Sequence, residues 1–167
     1  MAEALHGALP EWPVIEQDGF HLSNDLLLTL RRRDRKGAPD TFDVEGFVAL
    51  LQRVHIETGT VYAPRFRREI EEPIASSMAV NTRAPGVIVE GNYLLANSGG
   101  WERVLPLLDE VWYLDTPSEE CRRRLIERAS ITYGPIDGPK WVAKVDEPNA
   151  ALVRTTAHRA SLRTILD

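Results

Sequence analysis

Val87–Gly91 reads VIVEG and Val111–Asp115 reads VWYLD, two apolar runs that each carry a carboxylate at or near the end. Neither alternates apolar with polar residues, as a half-solvated strand would. Near-continuous apolar strands of this kind belong to parallel sheets covered on both faces, so the pair predicts an α/β chain. Working outward, Trp101–Leu108 has the composition of a short helix, and TPSEECRRRLIERAS predicts a helix opened by Pro117 and Ser118. Upstream, Val14–Glu16 is a weak strand, Asn24–Arg33 mixes LLLTL with basic residues in a helical pattern, and Gly37, Pro39 and Asp40 mark a loop in RKGAPDTFD. Asp43 caps a helix whose Val44, Phe47, Val48, Leu51 and Val54 fall on one face. Gly59–Phe66 starts as a strand, TVY, before a Pro- and Arg-rich loop, and Ile74–Val80 fits either periodicity. Downstream, Asp146 or Glu147 with Pro148 begins a helix to about Arg159, and SLRTIL is a last strand. Such alternation predicts right-handed crossovers and a parallel sheet clothed in helices.

With 167 residues, 43% hydrophobic, 27% charged and a net charge of −5, the chain reads as one globular domain over residues 1–167. An acidic balance supplies no general attraction to nucleic acid or anionic membrane, so neither is expected as a partner. No run approaches the roughly 20 apolar residues of a membrane helix, MAEALHGALPEWP lacks the features of a secretory leader, and the lone Cys121 reads as a packed thiol. The cytoplasm is the expected compartment. MAEALHGAL has helix formers without a capping residue or a preceding strand.

Two acids end strands. Asp18 in VIEQDGFHLSN suits an Asp-Gly turn, and it equally suits a carboxylate that takes a proton from a hydroxyl and aims that oxygen at a phosphoryl donor. Glu90 ends VIVEG as a solvated acid or as a magnesium ligand, direct or through water. The basic residues divide similarly. Arg31–Lys36, RRRDRK, is a solvated helix end or a nucleic-acid patch, the latter without interleaved aromatic platforms, and Arg65, Arg67 and Arg68 either grip a ligand or pair with Glu69, Glu71 and Glu72. Arg124 and Arg128 lie four apart on one helical face, able to close over triphosphate oxygens or to pair with Glu120 and Glu127. His6, His21, His55 and His158 have no zinc-ligand spacing, and Ser23 and Ser118 have no nucleophile-elbow context.

Taken together, QDGFHLSN, RKGAPDTFD, VYAPRFRREIEEPI, VIVEGNYLL, VWYLDTPSEECRRRLIER and WVAKVDEPNA closely resemble, in order and over nearly the whole chain, the P-loop small-molecule kinases of the uridine kinase, pantothenate kinase and phosphoribulokinase group. The bacterial fructose-transport-system kinases are the nearest branch. The resemblance implies a three-layer αβα sandwich with a mainly parallel sheet, ATP and Mg2+ as cofactors, and transfer of a phosphoryl group to a hydroxyl of a sugar such as fructose. A uridine-like nucleoside or a pantothenate-like acceptor, or a catalytically silent binding relative, are the alternatives. It implies Asp18 as base, Glu90 as the acid organising magnesium and acceptor, and His21, Lys36, Tyr62, Arg65, Arg67 and Tyr93 on the acceptor side. Arg124, Arg128 and Asn149 fall on the ATP side, with a lid over about 117–140, and a monomer or homodimer is expected. Two departures stand out. The phosphate loop G-x-x-x-x-G-K-S/T and the strand before it are missing, which predicts a fragment of a longer protein. Ala129 also stands where relatives often carry histidine, in a lid stiffened by GPIDGP.

Overall fold

The computed structural model describes residues 2–165. Its elements run α1 (Ala2–Ala8), β1 (Val14–Glu16), α2 (Asn24–Thr29), α3 (Val44–Ile56), β2 (Thr60–Arg67), β3 (Glu72–Asn81), β4 (Ile88–Glu90), β5 (Trp112–Leu114), α4 (Ser118–Trp141), α5 (Glu147–Thr156) and β6 (Leu162–Thr164). Among the described residues β1 pairs with β4 and β5 with β6, both parallel, while β2 and β3 form an antiparallel hairpin. The expected α/β architecture with parallel strands and flanking helices is present, but strict alternation is not: α2 is followed by α3 and α4 by α5, and β2, β3, β4 and β5 succeed one another with no α-helix between them.

The capped helix forms as its pattern predicts. Asp43 accepts the Gly46 N–H at 2.9 Å, and Phe47, Val48, Leu50 and Leu51 bury the inner face of α3. They pack into one core with Ile15, Phe20, Val61, Val80, Tyr93 and Trp101. An aromatic layer runs through it: Phe20 meets Phe47 edge-on at 5.0 Å, and Phe42 meets Tyr93 and Trp101 at 5.7 Å each.

Several elements depart from expectation for identifiable reasons. α2 stops at Thr29 rather than Arg33, because Arg31 turns left-handed (φ 56°) and Arg33–Arg35 make a separate 3-10 turn. β2 continues through Pro64, which lacks an N–H, because the ladder shifts register there in a bulge between Ala63 and Arg65. Ile74–Val80, ambiguous by pattern, is strand. Trp101–Leu108 is two 3-10 turns rather than a helix, the second containing Pro106. The VIVEG and VWYLD strands are not sealed on both faces: β4 is half-buried and Trp112 is 43% exposed. Among the described residues each has one hydrogen-bonded neighbour. The last helix begins earlier than its Asp-Glu-Pro signal. Val142–Asp146 is a π-helical turn continuous with α4, so Asp146 is already helical and caps nothing. α4 itself breaks at Gly134 (φ 84°), before Pro135 and Pro139. Among the described residues no helix is long and apolar enough to cross a membrane.

Candidate active site

β1 and β4 run side by side with Glu16 opposite Glu90, so both chains leave the sheet at the same end. β1 passes into a 3-10 turn, Gln17–Phe20, which carries Asp18. The turn presses on β2 so closely that a Cβ on Gly19 would lie 2.5 Å from the Pro64 carbonyl oxygen; the glycine of this Asp-Gly pair is required by packing. His21 Nδ1 donates to the Asp18 carbonyl at 2.8 Å and lies 3.9 Å from its carboxylate, its ring against Phe42 at 4.0 Å and Phe66 at 5.0 Å. Burial lowers the pKa of this imidazole while the Asp18 charge opposes that shift.

Three carboxylates therefore crowd this end of the sheet. Burial first, then the charges of Asp18 and Glu16, push Glu90 up to about 7. Two arginines from the hairpin partly compensate: Arg65 lies 3.5 Å from Glu16, and Arg68 lies 3.7 Å from Asp18. The donors are all hard oxygens, and among the described residues no group of three or more His, Cys, Asp or Glu is gathered as a metal cage. One or two carboxylates completed by water and phosphate oxygens are what Mg2+ prefers, so Glu90 and Asp18 fit that ion in kind.

Asp18 opens onto a cleft of about 660 Å³. The wall beside Asp18 includes His21, Lys36, Phe66 and Arg68, and the far wall Arg128, Tyr133, Trp141, Asp146 and Asn149. Lys36 is 8% exposed; its amine donates to Asn24 Oδ1 at 2.9 Å and to the Glu71 carbonyl at 2.5 Å, tying the 33–37 loop to α2 and the hairpin turn. Burial lowers its pKa. On the far wall Tyr133 stacks on Trp141 at 4.9 Å, and burial raises the Asp146 pKa against the pull of Arg128.

Of the residues singled out by sequence, Asp18, His21, Lys36, Arg68, Arg128 and Asn149 meet at this cleft. Glu90 lies beside Asp18 without lining it. Tyr62 is 58% exposed on β2, Arg67 is exposed, and Arg65 turns to Glu16; none reaches the cleft wall. The bulge at Ala63/Arg65 resets the alternation, so counting along VYAPRFRR misplaces these side chains and brings Arg68 to the cleft instead. Tyr93 is 1% exposed, and its hydroxyl donates to the Gly37 carbonyl at 2.6 Å, so it braces a loop from within the core. Arg124 bonds Glu120 at 2.5 Å on the helix surface and does not share the wall with Arg128. Tyr133, Trp141 and Asp146 were not anticipated at the cleft, Asp146 having been read only as a helix start.

No family model matches the chain. It is 34% identical over 119 residues to the ATP-dependent kinase-like protein notR' of Aspergillus versicolor, covering 66% of this chain and 69% of that protein. It is 33% identical over 159 residues to the uncharacterized protein YggC of Escherichia coli K12, covering 92% of this chain and 65% of YggC. Among solved structures it superposes on a "putative fructose transport system kinase" from Silicibacter sp. TM1040 with a TM-score of 0.86 and 32% identity, over 98% of this chain and 79% of that one.

Proposed function

Because this chain belongs to the P-loop kinase group, we propose that it transfers the γ-phosphoryl group of ATP to a hydroxyl of a small metabolite, a sugar such as fructose first among the acceptor classes. A nucleoside or a pantothenate-like acceptor stands behind it. The observation that carries this reading is the placement of Asp18 and Glu90 at one end of a parallel strand pair, with Arg128 on the far wall of the cleft that Asp18 faces. Residues 1–167 then belong to one domain, to which the phosphate loop and the strand before it would be added, with about 117–140 as its lid. The reading places the protein in the cytoplasm as a monomer or homodimer without nucleic-acid or membrane partners.

In this mechanism Asp18 accepts the hydroxyl proton as the acceptor oxygen bonds the γ-phosphorus and the bond to the bridging oxygen of ADP breaks. His21 holds the Asp18 backbone by its hydrogen bond and closes one side of the acceptor pocket. Arg68 screens the Asp18 charge before the acceptor arrives. Arg128 and Asn149 meet the nucleotide from the far wall, Arg128 facing the phosphoryl oxygens as their charge spreads. Glu90 would hold Mg2+, which when bound neutralises phosphate charge. The aromatic wall of His21, Phe42 and Phe66 supports an acceptor with a C–H face or a flat ring.

The test is ATP consumption by the purified protein against a panel of sugars, nucleosides and vitamins, beside an Asp18→Asn variant. Turnover of one acceptor, lost in the variant, supports the reading. ATP and acceptor binding without turnover would instead identify a catalytically silent relative.

A further inference from the structure

Gln17 sits between Glu16 and Asp18, and it is 1% exposed. Its Oε1 accepts the Tyr93 backbone N–H at 2.9 Å, while its Nε2 has no hydrogen-bond partner among the described residues. The turn from Glu90 to Tyr93 is seated directly on this side chain: a Cβ on Gly91 would lie 2.4 Å from Gln17 Oε1 and 2.5 Å from its Cβ. The connection continues through the core. The Tyr93 hydroxyl donates to the Gly37 carbonyl at 2.6 Å, and Gly37 N–H donates to Thr41 Oγ1 at 3.0 Å. One amide thereby joins the segments that carry Asp18, Glu90 and Lys36.

Stability alone gives a poor reason for a glutamine here. A buried donor left unpaired is costly, and an apolar side chain of equal length would remove it. That replacement would strand the Tyr93 N–H, so the two effects oppose each other and the net change in stability is small. What an apolar side chain cannot supply is the fixed link from one acidic segment to the other.

We propose that Gln17 is a positioning residue for phosphoryl transfer, its amide setting the separation of Asp18 from the Glu90 turn and, through Tyr93, the place of the loop that bears Lys36. The proposal rests on the kinase reading. Gln17→Met keeps the volume and removes the acceptor; Gly91→Ala forces the same two segments apart from the other side. Each is expected to lower kcat by about tenfold or more, the scale at which small misplacements act, with KM for ATP unchanged. Gln17→Met should keep its cooperative thermal unfolding near the wild-type midpoint. Unchanged kcat in Gln17→Met, or a loss of kcat that only tracks a loss of folded protein, overturns the proposal. Crystal structures of the wild type and Gln17→Met read the Asp18–Glu90 carboxyl separation without any turnover. A wider separation supports the proposal, and an unmoved turn overturns it. A wild type that turns over no acceptor would sink the kinase reading, and that structural comparison would still decide the role of Gln17.

Discussion

The two walls of the cleft are built by different physics. The Asp18 wall grows out of the core: its turn lies against β2, its histidine packs on Phe42, and Phe42 meets Tyr93 and Trp101. The proposed lid wall is α4, a π-turn and α5, broken at Gly134 and laced by exposed pairs such as Arg122–Glu147 at 2.6 Å and Lys144–Asp34 at 3.0 Å. Close packing resists displacement, whereas solvent-screened pairs contribute little and shift easily. The difference teaches a division of labour that the proposed function would use: the carboxylate proposed as base stands on the core, and the wall proposed to meet the nucleotide stands on weak contacts.

The comparison breaks at its core side if Asp18→Asn retains turnover. The expected loss in kcat is about 10²–10⁴-fold, the range for a positioned general base, with ATP binding nearly intact by calorimetry. Phe47→Ala attacks the same wall through its support. Phe47 is 0% exposed and touches Phe20 and Trp101, so denaturant unfolding should show a loss of about 3–5 kcal/mol. On the lid side, Arg128→Ala should lower kcat/KM for ATP on the order of 10²-fold, as expected for one removed charge-stabilising donor, while unfolding stays close to wild type.

A pH experiment sharpens the electrostatic part. Glu90 sits at about 7 in the folded protein against an ordinary 4.5, so the folded state holds that proton more tightly than the unfolded chain. Its contribution to stability is therefore fully present below about pH 4.5 and is lost as pH rises through about 7. Glu90→Gln should unfold at a higher temperature than wild type at pH 8 and lose that advantage near pH 4.5, measured by scanning calorimetry in both buffers. The smallest effect belongs to the lid surface: Lys144→Ala should cost less than about 1 kcal/mol, because both partners of its ion pair are mostly solvated.

Much of this was legible in the residue pattern. Asp43 before a one-sided apolar helix, VIVEG and VWYLD as strands, and Leu162–Thr164 within the expected last strand all appear where their local chemistry puts them. The hairpin was half-legible, since Pro64 reads as a loop former until a bulge shows how a strand accommodates it. Tyr93 and Arg65 illustrate the limit. Both stand next to site segments in the chain, yet one is consumed by the Gly37 carbonyl inside the core and the other by Glu16. Neighbourhood in sequence says which loop a residue rides on and nothing about which way the loop is turned.

The sequence by itself determined that this is an α/β chain with acids closing two apolar strands, because apolar runs, caps and turn residues act over a few neighbours. Only the tertiary structure decided which charged side chains share a cleft, that Arg68 and Asp146 stand at it while Arg124 does not, and that buried Gln17 takes the Tyr93 backbone N–H. Those outcomes depend on a strand bulge, a helix kink and contacts between residues as far apart as Gln17 and Tyr93, and distances of that kind are set by packing.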